Sequence, residues 1–128
     1  VLNAEAVHRR ARRVLPEVLA TSGVALEDAS EAGLAALLFP LRRPSSGTVA
    51  FRLCEASARE LQADPDAFLR KALVAREPLG RFAAPARYRP WRRVPVEAGG
   101  VYFTSRHDGR GLIVVVPAER MVVYLWRD

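Results

Sequence analysis

Residues 99–127 read GGVYFTSRHDGRGLIVVVPAERMVVYLWR, and the fold turns on how this stretch doubles back on itself. Asp108-Gly109 separates two runs rich in β-branched and aromatic residues, and Asp-Gly tolerates the positive φ angles of a two-residue type I′ hairpin. That loop would set His107 opposite Arg110, Arg106 opposite Gly111, Ser105 opposite Leu112, Thr104 opposite Ile113, Phe103 opposite Val114, Tyr102 opposite Val115 and Val101 opposite Val116. Pro117-Ala118-Glu119-Arg120 supplies a second reversal, with Val116 opposite Met121 and Leu112 opposite Leu125. The stretch is therefore read as a three-stranded antiparallel meander.

Side chains alternate across a strand, so this register sorts the meander into two faces. Val101, Phe103, Ser105, Leu112, Val114, Val116, Met121, Val123 and Leu125 form the first, which reads as a core face. Tyr102, Thr104, Arg106, Gly111, Ile113, Val115, Val122, Tyr124 and Trp126 form the second, a mixture of apolar, aromatic and cationic groups. The middle strand, Leu112 to Val116, is apolar on both sides, which implies cover on both. The plainer reading of the second face is a helix layer or a subunit contact; the other is a working surface. In the latter case Gly111 would leave room for the Arg106 guanidinium to lie over the indole of Trp126.

Upstream, Asn3 is a cap for a first helix, with Val7, Ala11, Val14, Leu15, Val18 and Leu19 at helical spacing; Pro16 would kink or split it, and it should end near Gly23. Arg9, Arg10, Arg12 and Arg13 fall on its polar side, which reads as a solvated face, the alternative being a phosphate-binding edge. Asp28 to Glu31 opens a central capped helix carrying Leu34, Leu37 and Leu38, closed by Pro40 and Pro44. Thr48 to Cys54 alternates as a fourth strand, with Val49, Phe51 and Leu53 on one side. Ser57-Ala58-Arg59-Glu60 reads as a capping box, and Asp64-Pro65 as the start of a further helix bearing Phe68, Leu69, Ala72 and Leu73. Residues 81–97 have neither helical nor strand periodicity and contain Pro85, Pro90 and Pro95, so they are expected to lie extended on the surface. The whole is read as a single α+β domain over residues 1–128, either a chain of its own or one excised from a longer chain: N-terminal helices and a central capped helix on an antiparallel sheet of about four strands.

A chain of 128 residues is long enough to bury roughly two thirds of its unfolded surface without disulfides or metal. Cys54 is the only cysteine, and no apolar run is long enough to span a bilayer, so an intracellular, cytoplasmic setting is expected. Lys71 is the only lysine, so the 20 bases include 19 arginines, a bias of the kind GC-rich coding produces. The formal net charge of +6 is independent of that bias and favours nucleic acid, an anionic membrane or an acidic protein surface as partner, without choosing among them. No phosphate loop, HExxH, GxSxG or CxxC is present, and neither His8 nor His107 has a second ligand at metal-site spacing, so no metal or cofactor is expected.

Arg87-Tyr88-Arg89-Pro90-Trp91-Arg92-Arg93 interleaves four arginines with two aromatics. Arginines neutralise phosphates and exposed aromatics stack on bases, so Arg87, Tyr88, Arg89, Trp91, Arg92 and Arg93, with Tyr102, Arg106, Tyr124 and Trp126 from the second sheet face, are the candidate binding residues. Alternatively Tyr88 and Trp91 pin the segment to the core while the arginines stay wet. The leading function is a non-enzymatic module that binds nucleic acid through this arginine and aromatic surface. Its rival is a protein-interaction or assembly subunit, or a homo-oligomer, using the aromatic sheet face. A third reading, a small metal-independent RNase-like domain, rests on His107, Arg106, Arg110, Thr104 and Ser105, although the register sends His107 and Ser105 to one face and Arg106 and Thr104 to the other.

Overall fold

The computed structural model describes residues 8–9, 12–26, 47–78, 85–96 and 99–126. The elements are β1 (Thr21–Leu26), β2 (Gly47–Leu53), α1 (Glu55–Ala63), α2 (Pro65–Arg70), β3 (Val74–Pro78), β4 (Pro85–Arg87), β5 (Arg92–Val96), β6 (Gly99–Ser105), β7 (Gly111–Val116), a 3-10 turn (Pro117–Glu119) and β8 (Met121–Trp126). Six strands form one antiparallel sheet in the order β1-β2-β8-β7-β6-β5, and β3 and β4 form a separate pair. The chain is thus α+β, with a sheet of six strands where four were expected and a meander of four consecutive strands, β5 to β8, rather than three. No helix among the described residues is long and apolar enough to cross a membrane.

The register of the last three strands is the one read from the sequence: Phe103 pairs with Val114, Tyr102 with Val115, Leu112 with Leu125 and Gly111 with Trp126. The first turn is wider than the two-residue loop expected. Gly109 alone in it has a positive φ, 74°, and its N–H donates to Arg106 O, whereas a type I′ turn needs positive φ at both central residues. Asp108 stays out of that region because its carboxylate is engaged locally, accepting from the Arg110 N–H at 2.9 Å and pairing with the Arg106 guanidinium at 2.6 Å. His107 does not face Arg110; its N–H donates to Arg87 O. The pairing still resumes at Arg106 and Gly111, so the faces are preserved.

The N-terminal segment departs further from expectation. Helical turns at 8–9 and 12–14 stop before Pro16, which makes an isolated bridge to Ala75, and the chain continues as strand β1 rather than as a second helix. Proline has no N–H to give to the carbonyl of Arg12, and the Thr21–Leu26 run finds β2 beside it, so tertiary pairing overrides the helical spacing. The Asn3 cap and the capped helix at Asp28 to Leu38 lie outside the described residues. Residues 85–96, expected as an irregular surface run, supply β4 and the edge strand β5. Arg89 N–H donates to Ser105 O and His107 N–H to Arg87 O around a Tyr88–Arg106 bridge, so this piece is stitched to the end of β6. An edge is where a strand tolerates Pro95.

Both faces of the meander are covered, the second one by a helix layer, and the larger cluster lies on that second side. Tyr102, Ile113, Val115, Val122 and Tyr124 of the second face join Val49, Phe51 and Leu53 of β2 in one buried cluster with Leu15, Leu19, Ala58, Leu61, Phe68, Leu69 and Tyr88. The first face forms a smaller cluster of Ala50, Val101, Val114, Val116, Val123 and Leu125, with Phe103, Leu112 and Met121 only partly buried beside it. Helices settle on the side that offers the bulkier aromatic surface, because burying it removes more apolar area from water.

The helix starts illustrate the same competition. Asp64 caps α2 as expected, its carboxylate accepting from the Ala67 N–H, with Pro65 at the first position. The Ser57 capping box does not form, for α1 begins at Glu55 after Cys54. Ser57 is buried inside the helix, where its hydroxyl donates to Val18 O at 2.7 Å and accepts from the Ala20 N–H at 3.2 Å. It ties the segment before β1 to α1. Ser57→Ala should therefore cost about 1–3 kcal/mol by leaving both main-chain groups without their partner; denaturant titration checks this, and a loss near zero would mean water replaces the hydroxyl.

Candidate nucleic-acid interface

Two main-chain and three side-chain hydrogen bonds hold residues 88–91 in place. Tyr88 N–H donates to Leu73 O and Arg89 N–H to Ser105 O, while the Thr104 hydroxyl donates to Arg89 O. The Trp91 indole N–H donates to Ala72 O at 2.9 Å, and the Tyr88 hydroxyl to Val14 O at 2.5 Å. Tyr88 is only 2% exposed, and burial pushes its phenol well above the ordinary range. Pinning by Tyr88 and Trp91 is therefore real, and it leaves Arg87, Arg89, Arg92 and Arg93 exposed. None of these four has a carboxylate partner among the described residues, in contrast to Arg13, Arg59, Lys71 and Arg106, which pair with Glu77, Glu55, Glu60 and Asp108.

Residues 89–93 border three depressions in succession. The largest, about 480 Å³, lies between α1, α2 and the β5–β6 edge; Trp91, Arg92, Arg93 and Tyr102 form one side, Leu61, Gln62, Asp66 and Leu69 the other. Arg93 pairs with Tyr102 across the strands and fills the space over Gly100, where a Cβ would sit 2.6 Å from its Nε and 3.0 Å from the Tyr102 hydroxyl. Gly100 thereby leaves room for the Arg93 side chain. On the other side of Trp91 a second depression of about 220 Å³ is lined by Asp66, Leu69, Arg70, Leu73 and Pro90. The third, about 230 Å³, lies at the far end of β6, where Arg89 meets Ser105, Arg110 and Trp126.

The sheet-face candidates fare differently from one another. Tyr102 and Tyr124 are buried at 8% and 7% exposure, so neither offers a ring to solvent, whereas Trp126 is 41% exposed. Trp126 stacks on Tyr124, ring centroids 6.3 Å apart and planes 19° from parallel, so a buried ring supports a half-exposed one. Arg106 does cross over Gly111, where a Cβ would lie 2.7 Å from its Cδ and from the Tyr124 hydroxyl. It meets that hydroxyl and Asp108 rather than the Trp126 indole. Burial works against its charge, but the Tyr124 hydrogen bond and the Asp108 charge outweigh it, so its pKa lies above the ordinary value. Arg106, Tyr124 and Tyr88 thus form an interior polar chain, not part of a stacking surface.

The structure therefore brings Trp91, Arg92, Arg93 and Tyr102 to one depression and Arg89 and Trp126 to another, and withdraws Tyr88, Tyr124 and Arg106 into the interior. Gln62 and Asp66 were missed, and Arg110 was singled out only for the RNase-like reading. The first two needed the packing of α1 and α2 against the β5–β6 edge. Of the groups behind the RNase-like reading, Thr104 is committed to Arg89 O and Arg106 to Asp108. No cluster of three metal-ligating residues occurs among the described residues. Comparison with protein-family models, with curated proteins and with solved structures finds no match for the chain.

Proposed function

We propose that the domain is a non-enzymatic module that binds single-stranded nucleic acid along residues 89–93, with Arg89, Arg92 and Arg93 on the phosphates and bases stacking against Trp91. The reading is carried by one observation: three exposed arginines with no acid partner among the described residues lie on a five-residue run whose backbone is held by Tyr88, Thr104 and Trp91, beside depressions of about 480 and 220 Å³. A pinned track loses little entropy on binding, and guanidinium groups suit phosphate oxygens. The rival reading, a protein contact on the aromatic sheet face, loses support because that face is packed beneath the domain's own helices and N-terminal segment. The free edge of β5 is a weaker alternative, since Pro95 and two arginines in five residues are features that discourage strand addition.

Binding to a labelled single-stranded oligonucleotide should weaken with salt, with a slope of log K against log salt near −2, from three phosphate contacts at about 0.7 each. Arg92→Ala and Arg93→Ala should each reduce the slope by about 0.7. A salt-independent affinity, or no binding at low salt, would remove the proposal.

A further inference from the structure

The depression of about 480 Å³ holds hydrogen-bonding groups that a phosphate track does not use. Arg93 pairs with Tyr102 across β5 and β6, and Pro95 with Gly100, so Arg93, Gly100 and Tyr102 share the face of the sheet that looks at α1 and α2. Trp91 packs on the same cluster as Tyr102, Leu61 and Leu69, so all of them bound one space. Tyr102 is 8% exposed, and its hydroxyl stands over Gly100 with no hydrogen-bond partner among the described residues. On the helical wall, Asp66 is exposed in the first turn of α2. Asp64 already caps that helix through the Ala67 N–H, and no cation pairs with Asp66 among the described residues, so its carboxylate is uncommitted. Asp66 and Trp91 both border the neighbouring depression of about 220 Å³ as well, so carboxylate and indole stand together at the divide between the two spaces.

A base stacked on Trp91 can therefore turn its edge towards Asp66. A carboxylate only accepts, and its two oxygens match two donors set side by side. Guanine offers such a pair on its Watson–Crick edge, N1–H beside the N2 amine. Adenine and cytosine set one amine beside a ring-nitrogen lone pair, and uracil and thymine flank one N–H with two carbonyls, so each would hold a lone pair against the carboxylate. Guanine also carries O6 next to N1–H, and the Gln62 amide and the Tyr102 hydroxyl are donors for it in the same space. At about 480 Å³ the depression lies within the roughly 300–1,000 Å³ of small-molecule sites, enough for a whole nucleotide.

We propose that this depression reads guanine in the strand held along residues 89–93, an inference that rests on the nucleic-acid reading of that run. Asp66 takes N1–H and the N2 amine, Tyr102 and Gln62 meet O6, Trp91 carries the ring face and Arg93 the adjoining phosphate. Fluorescence anisotropy with short oligothymidylates that differ only in the central base provides the test. The central base is guanine, adenine, cytosine, thymine or hypoxanthine, the last being guanine without its N2 amine. Titrations with guanosine monophosphate and adenosine monophosphate probe the depression apart from the strand.

The guanine oligonucleotide should bind roughly tenfold more tightly than those with adenine, cytosine or thymine, as expected for a two-pronged contact to a base edge, and hypoxanthine should lose most of that advantage. Asp66→Asn should bring the ratio towards one, because an amide sets a donor against one of guanine's donors. Tyr102→Phe keeps the ring and should lower the ratio about threefold, the share of a single hydrogen bond. Circular dichroism should be unchanged in both variants, while Arg93→Ala should weaken all the oligonucleotides alike and leave the ratio intact. A guanine preference that survives Asp66→Asn would overturn the assignment, and equal binding of all the oligonucleotides would overturn base reading while leaving the track standing. Guanosine monophosphate binding more tightly than adenosine monophosphate, with no oligonucleotide bound at low salt, would uphold the depression and remove the track. No binding of any probe would remove both.

Discussion

Phe51→Ala should destabilise the domain by about 3–5 kcal/mol, while Phe103→Ala should cost only about 1–2 kcal/mol. Both are phenylalanines on sheet strands, and alternation alone favours Phe103, which shares a face with Val114 and Val123. Phe51, however, lies at 2% exposure in the cluster where α1, α2 and the Leu15–Leu19 segment meet the sheet, and Phe103 is only partly buried against the smaller cluster. Truncating Phe51 removes a ring from a packed site with neighbours on every side, so the transfer cost and the cavity cost add. At Phe103 the neighbours are sparser and water replaces part of what is lost. Urea unfolding monitored by tryptophan fluorescence gives both values; equal losses, or a larger one at position 103, would show that the helices do not cover the face assigned to them.

Asp108→Ala should cost about 2–3 kcal/mol, a large effect for a residue in an exposed hairpin loop. Its partner is the reason. The Arg106 side chain is only 14% exposed and its Nε is buried without a hydrogen-bond partner, so among the described residues the Asp108 carboxylate is the acid that offsets a largely desolvated charge. The same residue accepts the Arg110 N–H that shapes the loop. Asp108→Asn separates the two roles, because an amide oxygen can still accept from Arg110 but carries no charge for Arg106. The Asn variant should recover no more than about half of the loss. Full recovery would mean that turn shape alone matters, and no loss with alanine would mean that Arg106 swings out to solvent.

Gly111 explains why this chain of polar groups fits inside the sheet at all. Its missing side chain gives Arg106 and the Tyr124 hydroxyl their shared space, and any Cβ would have to displace one of them. The open row at Gly111 was legible from pairing, since Arg106, Gly111 and Trp126 fall in line. The partner Arg106 takes in that row was not, because rotamers and the pull of Asp108 decide it after the strands have paired.

Local rules carried the hairpin register, the strand at Thr48 to Cys54, the Asp64-Pro65 helix start and the arginine-aromatic run at 87–93, because each depends on residues a few positions apart. Period-two alternation specifies which side chains share a face whatever the fold does later. It does not specify which face the helices choose, which strands lie at the edge, or whether a proline-rich run is stitched to a distant strand. Those outcomes depend on contacts such as Arg89 to Ser105, Ser57 to Val18 and Trp91 to Ala72, between groups 16 to 39 residues apart. The same long-range contacts separated the ten candidate binding residues into an exposed track and a buried polar chain, since exposure is a property of what packs above a residue and not of the residues beside it in sequence.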